Sequence, residues 1–359
     1  MNTHRNNFTF QGITSQEDYH LFVNEANFNE DCLKDGSVHL PEELFRFLEN
    51  TFPARLCVAC SGGSDSVALL VLLCKEASLR DRLIVLHFNH RTRGNTSDGD
   101  ADFVKNFASA AHVPIVVGHL NDDTRGYFGE DLLRRHRFYF FRREMSKLDT
   151  PYLLTGHNRD DVIETFLMRL ARGSSVDGLT ALRAVEHRCD GYIYVRPLLS
   201  FSKNALREYL LKMHILWRED SSNASECYLR NRVRHKLIPA WKNIESGRSL
   251  ESCLLHARAL LVEDADALKE LSEGCFRAIC HENRLDLEAL RRQPIAVLRR
   301  VLHLFFLNNG RVLERAFIDH LLDLCQVGEP FKASVTTDLV CVSTGREIYL
   351  QYLHRSSTL

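Results

Sequence analysis

A doubly wound α/β domain built on a parallel sheet, continued by a mainly helical region with a small β element, is expected from two features of the chain. Between residues 55 and 172, short runs that are apolar throughout alternate with helical stretches. Strands apolar on both faces and separated by helices belong to a parallel sheet covered on both sides. Beyond about Phe201 the strand signal fades and helical periodicity dominates.

Residues 1–38 show no steady period and are rich in Asn, Asp and Glu, so they read as an extension. Pro41–Phe52, with its early proline and apolar residues at helical spacing, predicts a helix before the first strand. The strands are then expected at Arg55–Cys60, Arg82–His90, Val113–Leu120 and Pro151–His157. The helices between and after them are expected at Ser66–Ala77, Ser97–Ala111, Glu130–Lys147 and Asp160–Arg172. Further helices follow over about 250–280 and 294–327, and the last thirty residues regain a β alternation. The expected domains are the extension 1–38, the α/β domain 39–215 and the helical domain 216–359, the second boundary resting on composition alone.

With 359 residues, 45% hydrophobic and 26% charged, the chain has the balance of a globular protein. No apolar run is long enough for a membrane span, no signal-peptide core opens the chain, and a cytoplasmic location is the default. The eleven cysteines are odd in number and widely spread, so reduced thiols are expected. A net charge of −1 gives no global sign of nucleic acid, but two local runs do. Cys227–Lys242 holds five Lys/Arg and no carboxylate; Arg125–Arg143 holds six Arg against two acids. Either run could equally be a solvated helix face.

"SGGSDS", Ser61 to Ser66, falls where the first strand ends and the next helix begins. Parallel sheets place ligands there. Gly62 and Gly63 let the backbone turn its N–H groups inward, Ser61, Ser64 and Ser66 add hydroxyls, and the helix contributes its positive end. Together these suit a phosphate. Lacking the following lysine, the loop is not a Walker-type P-loop. A carboxylate next to phosphate would repel it, so Asp65 is expected to face a Mg²⁺ ion.

The loop resembles the PP-loop of the ATP pyrophosphatase superfamily, which has the adenine nucleotide alpha hydrolase-like fold and activates an oxygen by adenylation. Three further stretches narrow the resemblance: "HFNHRTRGNTSDGDADFV" from His87, "GHNRDDVIETFLMRLARG" from Gly156, and "RPLLSFSKNALREYL" with "WREDSSNASECYLRNRVRHKLIP" from Trp217. In this order, over about 55–240, they resemble the tRNA(Ile)-lysidine synthetases. That resemblance implies ATP-dependent ligation of L-lysine to C2 of the wobble cytidine of a CAU-anticodon tRNA(Ile), through an adenylated base, with AMP and pyrophosphate released. It implies lysine-binding and catalytic roles for Asp161 and Glu164, and groups near the α-phosphate in Arg137 and His157. Arg230, Asn231 and Arg234 become the expected tRNA contacts. On a helix, residues 230 and 234 share a stripe and 232 points elsewhere. Asp160 is expected to cap the helix that carries the two acids.

Two positions depart from the family's pattern: Thr92 precedes Arg93 where leucine is usual, and Phe138 stands for tyrosine. Trp217 reads as core before it reads as a stacking platform. The competing reading is a PP-loop tRNA thiolase, suggested by Cys57-x-x-Cys60. Those cysteines lie on opposite faces of one strand, which disfavours joint chemistry. The oligomeric state is open, with a homodimer one option.

Overall fold

The computed structural model describes residues 38–91, 95–120, 129–188, 190–219, 229–243 and 249–353. The expected extension 1–38, all but its last residue, and the Thr92–Arg93 pair lie outside the described residues. The chain divides into two compact units between Leu254 and Leu255.

The first unit opens with α1 (Glu42–Glu49) and β1 (Leu56–Ala59), then α2 (Ser64–Lys75), α3 (Ala77–Arg80), β2 (Leu83–Asn89), α4 (Asn95–Ala110) and β3 (Ile115–His119). It continues through α5 (Glu130–Lys147), β4 (Tyr152–Thr155), α6 (Arg159–Ala171), α7 (Val176–Leu179), β5 (Val185–His187), β6 (Ile193–Val195) and α8 (Lys203–Lys212). The sheet order is β3-β2-β1-β4-β6-β5, parallel except where β5 meets β6. β1 is central, with Cys57 beside both Ile84 and Leu153.

The chain fills one side of β1 with β2 and β3 before crossing to β4, so the strand order reverses between β1 and β4. A crevice at the carboxyl ends of these two strands is where such sheets bind ligands. The loop 61–63 leaves β1 there and Gly156–Asn158 leaves β4 there. α2 is apolar on every side and is buried from Ser66 to Leu73, as a helix enclosed in a core must be.

β5 and β6 were not expected. Each has only three residues, too few to show a period, and they extend the sheet past β4. The chain then enters α9 (Leu229–Arg232), a π-helical turn (Val233–Leu237) and α10 (Ile238–Lys242). This basic stretch belongs to the first unit, whereas composition had placed it beyond a boundary at 215/216. The reason is ionic: its arginines are tied to acids of α6.

α11 (Leu250–Ile279) runs across the division between the units. The second unit holds β7 (Cys280–His281), β8 (Arg284–Asp286), α12 (Leu287–Arg291), α13 (Ile295–Asn308), α14 (Arg315–Val327), β9 (Phe331–Ser334), β10 (Leu339–Ser343) and β11 (Glu347–Tyr352). Its antiparallel sheet has the order β7-β8-β11-β10-β9 and packs through Leu285, Cys341 and Ile348 against Phe305, Phe306 and Leu321. The β7–β8 turn was missed because its two left-handed residues are Glu282 and Asn283, at φ 49° and 59°, in place of a glycine pair.

Candidate active site

The loop after β1 is braced from within. Ser66 Oγ donates to the Gly63 carbonyl at 3.0 Å and accepts from the Ser61 N–H at 3.2 Å. Ser66 is therefore a structural strut with its side chain turned inward. His87 Nδ1 lies 2.9 Å from the Cys60 carbonyl and holds the strand end below the loop. Gly62 has φ 91°, a left-handed conformation that L side chains rarely adopt. Gly63 is the N-cap of α2 and brings no capping side chain, so the first N–H groups of the helix are left for an anion.

Opposite lies the end of β4. A Cβ on Gly156 would come within 3.0 Å of the Asp65 and Ser66 backbone, so the glycine lets the two turns touch. His157 follows, with Nδ1 2.8 Å from Thr155 Oγ1. Burial first, then the guanidiniums of Arg196, Arg134, Arg230 and Arg137, push the imidazole down to about 3. It is thus a neutral hydrogen-bonding group at physiological pH, and the positive charge around it belongs to the arginines.

α6 begins with a capping box. Asn158 Oδ1 accepts from the Asp161 N–H at 3.0 Å, and Asp161 Oδ2 accepts from the Asn158 N–H at 2.9 Å. Asp160, the expected cap, instead accepts from the Lys203 N–H at 2.8 Å and joins α6 to α8. Both are acceptable capping types, and only tertiary placement separates them.

Asp161 and Glu164 share a face of α6, as their spacing requires. Glu164 is 1% exposed and accepts three bonds: from Arg230 Nε at 2.7 Å, Arg234 Nε at 2.6 Å and Arg234 Nη2 at 3.0 Å. Arg230 Nη2 also reaches Asp161 Oδ1 at 2.7 Å. The stripe expected for 230 and 234 is present, and it points at the acids of the site. Asn231 is buried and Arg232 is exposed. Arg234 has its charged form strengthened: burial opposes the charge, but Glu164 outweighs it.

A model described as a PP-loop domain matches residues 37–241. The tRNA(Ile)-lysidine synthase of Geobacter sulfurreducens is 36% identical over 262 residues, which are 69% of this chain and 53% of that protein. That of a Synechococcus strain is 31% identical over 253 residues, covering 70% of this chain and 76% of that protein. The chain belongs to the tRNA(Ile)-lysidine synthase family. It spans only 53% to 62% of the length of the first relatives matched, those of Geobacter sulfurreducens and Geobacillus kaustophilus among them. A U34-tRNA thiolase from Methanococcus maripaludis superposes with a TM-score of 0.48 at 17% identity, covering 62% of this chain and 78% of that one.

Within this family assignment Cys57 and Cys60 are core residues. They are 0% and 2% exposed and pack in different apolar clusters on the two faces of the sheet. Burial pushes the Cys57 thiol up to about 12 and raises that of Cys60, the reverse of what a nucleophilic sulfur needs. Trp217 likewise packs against the core and donates to Glu219 Oε1 at 2.9 Å. Phe138 packs against Tyr194 and Phe141, an aromatic role that needs no phenolic hydroxyl.

Asp65 is the carboxylate placed to hold a cation beside the loop. Burial raises its pKa and Asp161 adds to the rise, against partial relief from Lys203, a hydrogen bond from Ser64 and Arg207. A half-buried carboxylate held above its usual range beside an open phosphate loop fits Mg²⁺, which needs only one or two carboxylates alongside phosphate and water. No cluster of three or more His, Cys, Asp or Glu able to hold a metal exists among the described residues.

Several site residues were not legible beforehand. Arg134 and Arg196 lie around His157, and Arg196 is buried with its guanidinium on the Arg183 carbonyl and Glu186. The available signals were the arginine-rich run that contains Arg134, which singled out no member, and the motif "RPLLSFSKNALREYL", which opens with Arg196 but gave it no role.

Proposed function

We propose that the protein ligates L-lysine to C2 of the wobble cytidine of a CAU-anticodon tRNA(Ile), at the expense of ATP, in the cytoplasm. The observation that carries this reading is the meeting, at one crevice, of an uncapped glycine loop, a neutral histidine among four guanidiniums, and a paired-acid helix.

ATP lies along the loop, its phosphates on the N–H groups at the start of α2. Mg²⁺ held by Asp65 would neutralise phosphate charge when bound. The cytosine O2 attacks the α-phosphorus and pyrophosphate departs. Arg137 meets the charge that develops, and His157 donates a hydrogen bond as a neutral ring. The lysine ε-amine then attacks C2 and sheds a proton, and the C2–O2 bond breaks to release AMP. Asp161 and Glu164 hold the ammonium and take that proton.

In the state described, Arg230 and Arg234 satisfy those same acids. Lysine binding therefore needs the two guanidiniums to leave. Phosphates of the anticodon stem-loop are the natural competitors, since an arginine pairs with phosphate as it does with carboxylate. This reconciles tRNA contact by Arg230 and Arg234 with their present partners, and Asn231 becomes accessible in the same movement. The region from residue 216 onward would supply further tRNA contacts.

Incubation with ATP, Mg²⁺, labelled lysine and unmodified tRNA(Ile) should transfer label to the RNA, with one pyrophosphate released per lysine joined. Label that stays out of a competent tRNA overturns the reading. Sulfur entering the RNA in a parallel incubation with ATP and a sulfide donor would identify a thiolase.

A further inference from the structure

The segment Trp217–Glu219 has no part in the steps above, yet it grips the phosphate loop. The Arg218 N–H donates to the Gly62 carbonyl at 2.8 Å. Its side chain then crosses to α4, where Nε meets Asp100 Oδ1 at 2.6 Å, each side chain only 15% exposed. Gly62 is enclosed on the way. A Cβ built there would lie 3.1 Å from Val104 Cγ2, 3.4 Å from Phe103 and 3.6 Å from Arg218 Cγ. Asp100, Phe103 and Val104 all belong to α4, so one helix supplies both the anion that holds Arg218 and the wall behind the glycine.

A glycine loop binds phosphate well only if its N–H groups already converge. Glycine is the residue that loses most freedom on ordering, and this one sits in a left-handed conformation. Order established before the ligand arrives is not subtracted from binding. Arginine suits the task because its stem covers apolar surface while its planar head makes a directed bond to a carboxylate. The flanking residues are fixed as well: Glu219 accepts from Trp217 Nε1 and from Arg207 Nη2, at 2.9 and 2.6 Å.

We propose that Arg218, through its ion pair with Asp100, is a positioning residue that holds Gly62 and the phosphate loop in the ATP-binding conformation. The proposal rests on the ATP-dependent first step described above. It makes the segment Trp217–Glu219 part of the nucleotide site, although 118 residues separate Arg218 from Asp100.

The test compares wild type with Arg218→Ala, Arg218→Lys and Asp100→Asn, measuring KM for ATP in tRNA-dependent pyrophosphate release, ATP affinity by direct titration, and the unfolding midpoint. Arg218→Ala should raise KM and Kd for ATP about tenfold, the scale of one lost charge-assisted hydrogen bond, with KM for lysine and kcat at saturating ATP held within about twofold. Asp100→Asn should do the same more weakly, and Arg218→Lys should recover part of the loss. A role confined to stability would lower the midpoint and the active fraction and leave KM for ATP alone. That result, or equal ATP affinity in wild type and Arg218→Ala, overturns the inference while the proposed function stands. Wild type that binds no ATP overturns both.

Discussion

Replacing Glu164 by glutamine removes one charge from a carboxylate that is 1% exposed and accepts three hydrogen bonds from Arg230 and Arg234. Glutamine keeps the shape but offers one acceptor oxygen and no charge. Breaking a buried ion pair from one side costs about 3–5 kcal/mol, because the remaining partner keeps its desolvation penalty. Here the guanidiniums are 31% and 27% exposed, and Arg230 retains Asp161. The loss should therefore lie near the lower limit, about 3 kcal/mol, a large share of a typical folding free energy. Urea unfolding of Glu164→Gln, Arg234→Gln and the double variant measures it. The double variant should be more stable than the sum of the single losses predicts, by about 2 kcal/mol. Lysine transfer should fall at least a hundredfold, and tRNA-dependent pyrophosphate release should survive. Additivity of the two changes within about 0.5 kcal/mol would refute the reasoning, since it would mean that the short contacts carry no net coupling.

Gly62→Ala places a Cβ at φ 91° and 3.1 Å from Val104, so a loss of about 1–3 kcal/mol and a severe defect in ATP binding are expected by calorimetry and titration. Asp65→Asn should abolish adenylation and leave the unfolding midpoint at pH 8 equal or higher. The native pKa is raised, so ionisation of Asp65 weakens the fold as pH climbs through it, and the amide removes that loss. The native pKa of His157 is depressed to about 3, so the unfolded chain binds the extra proton between pH 6.5 and 3, and stability falls with pH across that window. His157→Gln should flatten this acid limb by at most about 3 kcal/mol at pH 4.5 in urea titrations; an unchanged slope would contradict a neutral buried ring.

The sheet was legible because β1, β2 and β4 are apolar on both faces, a pattern that little besides a parallel core produces. The phosphate loop was legible because its glycines, hydroxyls and helix start are contiguous. Asp161 and Glu164 were legible as a pair because three residues on a helix fix a shared face. Pairings over distance were not. Arg230 reads locally as a cation awaiting RNA, and only folding brings it to Glu164, 66 residues earlier in the chain. The expectation that Asp160 caps α6 failed similarly, because Asp160 is claimed by an N–H of α8 and Asn158 holds the cap. β5 and β6 were too short to register at all.

The capping box of α6 gives Asp161 two allegiances. One oxygen closes the first turn of the helix by accepting from Asn158, and the other accepts from Arg230. The side chain therefore cannot turn both oxygens to an incoming amine without opening the helix that carries it. Its aim is set by backbone closure, with no adjustment left to rotamer choice. In the proposed reaction, a proton taken up by Asp161 would fall on a carboxylate that also closes the first turn of α6, which would couple lysine transfer to the tightness of that turn.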